Sequence, residues 1–130
     1  MDKKDISTLD DIQILVNSFY DDIRKDDLLG PIFNTIIQDR WPEHLSKMYR
    51  FWQTVLLNEH TYSGSPFLPH AKLDVDQVHF DKWLELWHKN IDSHFEGEIA
   101  KEAKWRGDKM AVMFLSKISY YRNNPAKPLL

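Results

Sequence analysis

The run Gly64-Ser65-Pro66-Phe67-Leu68-Pro69-His70-Ala71-Lys72-Leu73 is the least helix-like part of this chain, and its reading decides how the remainder is arranged. Two prolines remove backbone donors and a glycine favours a turn, so a single helical turn is the most regular structure expected here. The run closes a longer irregular connector, from about Asn58 to Leu73. A helical domain has no need of so long a connector unless it carries function, and this one ends on a histidine.

Outward from the connector, both flanks read as helix. On the N-terminal side, residues 1–6 are expected to be a loose tail, and Ser7-Thr8-Leu9-Asp10 is a capping signal. Ile12, Leu15, Val16, Phe19, Tyr20 and Ile23 then fall on one face of a helix, with Asp11, Asn17, Asp21, Asp22 and Arg24 assigned to the other. Gly30-Pro31 turns the chain, and Phe33 with Ile36 reads as a short helix against the core. Pro42 suits the first turn of a helix running to about Leu57. On the C-terminal side, Asp74-Val75-Asp76 can cap a helix reaching about Phe95. Glu96-Gly97 breaks it, and a last helix spans about Glu98 to Tyr121, with 123–130 read as a second loose tail. No period-two alternation occurs anywhere. The chain is therefore read as all-α and as a single domain over residues 1–130.

Composition bounds the chemistry. With 130 residues, 42% hydrophobic and 28% charged, the chain has the balance of an ordinary soluble domain. A net charge of −3 offers no general attraction for nucleic acid. The absence of cysteine excludes disulfides, thiolate metal sites, iron–sulfur clusters and covalent haem attachment, and fits a cytoplasmic location. No apolar run approaches the roughly 20 residues of a membrane span, so no membrane is expected as a partner. Six histidines, at 44, 60, 70, 79, 88 and 94, include no pair with the helical spacing of a zinc site. No phosphate loop, nucleophile elbow or carboxylate dyad stands out.

Five tryptophans, seven phenylalanines and five tyrosines exceed what a chain of this length needs, and they fit either a large aromatic core or a slot for a flat ligand. A haem site needs an apolar slot, one axial histidine and few polar groups opposite. His70 in its connector, with Tyr20, His44 and Trp83 near apolar faces, meets that description. A haem-free helical protein-interaction module meets the same composition, and the residues alone leave both open.

An ordered set of motifs goes further. Phe19-Tyr20, Arg24-Lys25-Asp26 and Leu29-Gly30-Pro31-Ile32-Phe33-Asn34 resemble the opening of bacterial truncated haemoglobins. Trp41-Pro42-Glu43-His44, Phe51-Trp52, Tyr62-Ser63-Gly64-Ser65-Pro66, His70 and Phe80-Asp81-Lys82-Trp83-Leu84 continue that resemblance towards group III of the family, over about residues 8 to 118. The resemblance implies a truncated globin, a two-over-two helical sandwich holding haem b (iron protoporphyrin IX). By matched position, it implies His70 as the proximal iron ligand, with Tyr20, His44 and Trp83 as the distal residues around a bound ligand. Phe33, Met48, Phe51, Trp52 and Tyr62 are implied as cofactor contacts, and Lys47 as a cofactor contact that supplies a cation for a haem propionate. Phe67-Leu68-Pro69 departs from relatives that carry lysines just before the ligand, and His79 is the rival to His70.

On this resemblance the expected partners are diatomic gases (O2, NO, CO), with a reductase as a candidate and a monomer as the expected state. Reversible gas binding is the primary expectation. NO dioxygenase or peroxidase-like turnover is left open beside it, and no catalytic residue is assigned. A haem-based sensor would need an output domain, for which the sequence gives no sign.

Overall fold

Thr8 starts the first helix. In the structure, a computed structural model that describes residues 3–124, its hydroxyl accepts from Asp11 N at 3.2 Å and the Asp11 carboxylate accepts in return from Thr8 N at 3.1 Å. This capping box opens α1, Leu9–Lys25. The predicted apolar face of α1 is buried, with Ile12, Leu15, Val16 and Ile23 fully removed from solvent. α2 is Gly30–Ile37 and α3 is Trp41–Leu57, each with proline in its first turn. A single 3-10 turn, Leu68–His70, is the only helical piece of the connector among the described residues. α4, Gln77–His94, begins at the Asp76 cap, and α5, Glu98–Asn123, follows the Phe95-Glu96-Gly97 break.

The helices form two pairs, α1 with α3 and α4 with α5, joined where α1 lies on α4; α2 packs on α1. No strand occurs among the described residues, so the all-α reading holds. Among the described residues no helix is long and apolar enough to cross a membrane. The main core fills the space between the pairs and centres on Trp87, which is fully buried. A second apolar cluster, built on Phe67, Ala71, Val75, Phe114 and Ile118, fastens the connector to α5.

Four expectations need correction. Residues 3–6 are not a loose tail. Ile6 is buried, Lys4 O accepts from Glu96 N at 3.0 Å, and the Asp5 carboxylate accepts from Ile99 N and Ala100 N, both at 2.9 Å. Asp5 thus supplies the cap that α5 lacks locally, where Gly97 (φ +132°) has no side chain to cap with. A Cβ on Gly97 would lie 2.5 Å from the Asp5 carboxyl carbon, so glycine is required there by both backbone and space. At the other end, Asn123 closes α5 and is helical; residues 125–130 of the expected C-terminal tail lie outside the described residues. Asp11, assigned to the solvent face, is buried because its carboxylate also accepts from Ser7 N at 2.9 Å and pairs with Lys4. Burial pushes its pKa up, but the Ser7, Lys4 and Thr8 hydrogen bonds outweigh that and hold it below the ordinary carboxylate range. Finally, Ile36 is exposed and Ile37 takes the inward place, one position along a short helix.

Candidate functional site

Pro66 and Pro69 keep the connector from continuing as helix, and the 3-10 turn that remains presents His70. His70 N donates to Phe67 O at 2.7 Å. Its ring lies 4.8 Å from that of Phe114 on α5, and its Nδ1 lies 2.7 Å from Pro66 O. A carbonyl only accepts, so Nδ1 carries the proton and the Nε2 lone pair is free to bind a metal. Burial, aided by the charge of Lys47, lowers the His70 pKa against the opposing pull of the Pro66 and Phe67 carbonyls, so the ring is neutral near pH 7.

His79 lines the same cavity but has the opposite tautomer. Its Nδ1 accepts the Asp76 backbone N–H at 2.9 Å as part of the α4 capping box. In the neutral ring the proton therefore sits on Nε2, which leaves that atom no lone pair for a metal. The sequence sets His79 aside because it opens the following helix, and these two hydrogen bonds add a physical difference between the two rings.

His70 borders a cleft of about 190 Å³ between the connector, α1, α2, α3, α4 and α5. All ten sequence-identified residues line it: Tyr20, Phe33, His44, Lys47, Met48, Phe51, Trp52, Tyr62, His70 and Trp83. α1 contributes Tyr20, whose ring is held edge-on by Phe33 (6.0 Å), Trp41 (5.7 Å) and His44 (5.2 Å). Burial alone raises its phenol pKa, so the hydroxyl keeps its proton as a donor. α4 contributes Trp83, stacked at 5.7 Å on Trp87, which in turn stacks at 4.6 Å on Trp52. The Trp87 indole N–H donates to Ala103 O at 2.9 Å and fixes the centre of this stack. α3 contributes His44, whose pKa falls to about 4 through burial and the charge of Lys47, with His70 adding repulsion only once it too is protonated. Its Nε2 is buried and has no partner among the described residues. A buried polar atom of that kind calls for a partner that the cavity's occupant supplies. Tyr62 is fixed by its backbone N–H to Thr54 Oγ1 (3.0 Å) and by edge contact with Phe51 (5.2 Å).

Sequence reasoning missed the wall on the His70 side: Ile32, Leu73, Phe80, and Met110, Ala111 and Phe114 of α5. The α5 residues follow helical spacing, so a signal existed, but which neighbour that face would meet was not readable. Among the described residues, no three His, Cys, Asp or Glu side chains gather to hold a metal. A metal on His70 would thus take its other ligands from a prosthetic group, and a flat, largely apolar macrocycle suits these walls. The neutral ligand-competent imidazole on one wall and the orphaned His44 Nε2 elsewhere in the same cavity fit such a group.

Residues 5–115 match the family described as bacterial-like globin. The chain is 33% identical over 111 residues to the group 3 truncated hemoglobin ctb of Campylobacter jejuni, an alignment spanning 82% of this chain and 87% of that protein. The crystal structure of group III truncated hemoglobin from Campylobacter jejuni superposes with a TM-score of 0.82 at 32% identity, covering 91% of this chain and 95% of the other.

Proposed function

The chain belongs to the bacterial-like globin family, a family of haem-based gas binders, and from that premise we propose that it holds haem b in this cavity and reversibly binds O2, NO and CO. His70 is the iron ligand in this reading. The observation that carries it is the His70 Nδ1 to Pro66 carbonyl contact at 2.7 Å, which leaves Nε2 unprotonated on a residue lining a slot whose walls also include a phenol, an indole and a second imidazole. Haem, when bound, would supply an iron able to take up a diatomic gas.

The protein supplies the rest. The connector holds the His70 ring by its Nδ1–H, which fixes tautomer and orientation. Tyr20 and Trp83 supply one donor each for a polar ligand. In a cavity this apolar the local dielectric is low, so each hydrogen bond to an acceptor carrying charge contributes about 1.5–3 kcal/mol. That slows ligand release by roughly 10- to 150-fold per donor. His44, kept neutral by its low pKa, adds a third polar group without bringing a charge into the slot. In this reading Phe33, Met48, Phe51, Trp52 and Tyr62 pack against the group and exclude water, while the Lys47 ammonium meets its acidic edge; all six line the cavity. Two strong donors favour slow release, which suits NO dioxygenase or peroxidase-like chemistry on O2, NO or peroxide better than bulk transport. In the same reading the protein is a cytoplasmic, single-domain monomer, reduced by a partner reductase.

Absorption spectra of the ferric, ferrous and CO-bound forms test the reading. A Soret band is expected after reconstitution, with His70→Ala shifting it. A protein that stays colourless and structurally unresponsive to added haem would instead be a helical interaction module.

A further inference from the structure

The segment that carries His70 is held together mainly by its own backbone. Ala71 N donates to Leu68 O at 3.2 Å and Leu73 N to His70 O at 3.1 Å, both within the connector. Its packing on α5 is mainly apolar: Phe67 meets Phe114 at 5.5 Å and Tyr121 at 6.2 Å, and His70 meets Phe114, with the Lys117 ammonium 5.1 Å over the Phe67 ring. Apolar contact fixes how closely two surfaces approach, but it is not directional.

Direction comes from Arg122, in the last turn of α5. Its Nη1 donates to the Asp76 carboxylate at 2.9 Å, and its Nη2 donates to Val75 O at 3.0 Å and Leu73 O at 3.3 Å. Among the described residues these are the only hydrogen bonds that join residues 64–76 to α5. The three acceptors lie where the connector leaves His70 and enters the Asp76 cap of α4. A planar guanidinium with several donors fixes angle as well as distance, which an ammonium does not. The ion pair itself is solvent-exposed, with Arg122 and Asp76 side chains 42% and 66% accessible, so its contribution to global stability is small. Its effect is local, on the height and tilt of the connector.

We propose that Arg122 is a positioning residue for His70, a fork that fixes the C-terminal side of the connector to α5 and so sets how the imidazole meets the iron. This rests on the reading of His70 as the ligand. The test uses the full chain reconstituted with hemin and its variants Arg122→Met and Arg122→Lys. The readouts are the rate of hemin transfer to an excess of apomyoglobin and the iron–imidazole Raman band of the ferrous form. His88→Ala is the control, because it removes another polar α4–α5 contact, His88 Nε2 to Asp108 at 2.8 Å, far along the chain from the connector. Arg122→Met is expected to lose hemin roughly tenfold faster, as loss of a supporting shell residue does, and to shift or broaden the band. Arg122→Lys should fall between it and the native protein, and His88→Ala should leave both readouts in place. If Arg122→Met fails to fold, Arg122→Lys is scored on the same readouts. Native readouts in the Arg122 variants, or equal changes in His88→Ala, would overturn the proposal. A band that persists in His70→Ala sinks the ligand assignment beneath it, whereas a His70-dependent band indifferent to Arg122 sinks only the positioning role.

Discussion

Replacing Tyr20 with phenylalanine removes one oxygen and leaves the shape of the wall intact. The ring is held by edge contacts with Phe33, Trp41 and His44, all of which a phenyl ring preserves. No hydrogen bond enters the balance that raises the Tyr20 pKa; burial acts alone. On the proposed function the hydroxyl serves an occupant of the cavity, and removing it from the haem-free protein should change stability by less than about 1 kcal/mol. With O2 bound, the same deletion removes a donor to a charged acceptor in an apolar setting, about 1.5–3 kcal/mol. At about 1.4 kcal/mol per decade, O2 release should accelerate roughly 10- to 150-fold. Displacement of O2 by excess CO in a stopped-flow instrument measures that rate, and urea unfolding of the apo-protein measures the other arm. Trp83→Phe should accelerate release as well. The double variant then shows whether the two donors act on one ligand, through a coupling of about 0.5–3 kcal/mol. An O2 release rate unchanged in Tyr20→Phe would refute the assigned role. So would a faster rate that merely tracks a large loss of apo-protein stability.

Acid should weaken the apo-protein through His44. Its pKa falls from 6.5 to about 4 on folding, so the unfolded chain binds the proton more readily; the contribution is complete above pH 6.5 and is lost as pH falls towards 4. Discounted for partial exposure, His44→Gln should reduce the stability difference between pH 7 and pH 5 by about 1–2 kcal/mol, measured by urea unfolding at both values. Asp5→Ala removes the side-chain cap at the start of α5 and should destabilise by about 1–2 kcal/mol in the same assay. Gly107→Ala would place a Cβ 2.6 Å from Trp87 Cδ1 and 2.7 Å from its Nε1, against a ring with no room to move. The expected loss is about 1–3 kcal/mol, with a changed near-ultraviolet dichroism as the Trp83–Trp87–Trp52 stack shifts.

The helices were legible because their signals are local. Apolar residues at three- and four-residue intervals gave α1, α3, α4 and α5, and Thr8, Pro42 and Asp76 marked starts that the structure keeps. The connector was legible for the opposite reason, since Pro66 and Pro69 exclude a long helix. The ten cavity residues were named by matching motifs in order, and one slot holds all of them. What could not be read depends on distant partners. Asp11 looks like a surface acid until Ser7, Thr8 and Lys4 surround it. Phe114 and Met110 belong to the cavity only because α5 passes behind the connector. Arg122 has no local signal at all, and the tautomers that separate His70 from His79 are properties of folded geometry.

The Asp5 cap has a kinetic side. Asp5 and Ile99 are 94 positions apart, and bringing such distant residues together carries a closure term of roughly 4 kcal/mol. Two hydrogen bonds do not offset that on their own, so this contact forms after the helices have already drawn the ends together. A contact made late holds the native state without hastening its formation. Substitution of Asp5 should therefore act on how fast the protein opens and leave the rate of folding nearly untouched. The first residues of the described chain work as its latch.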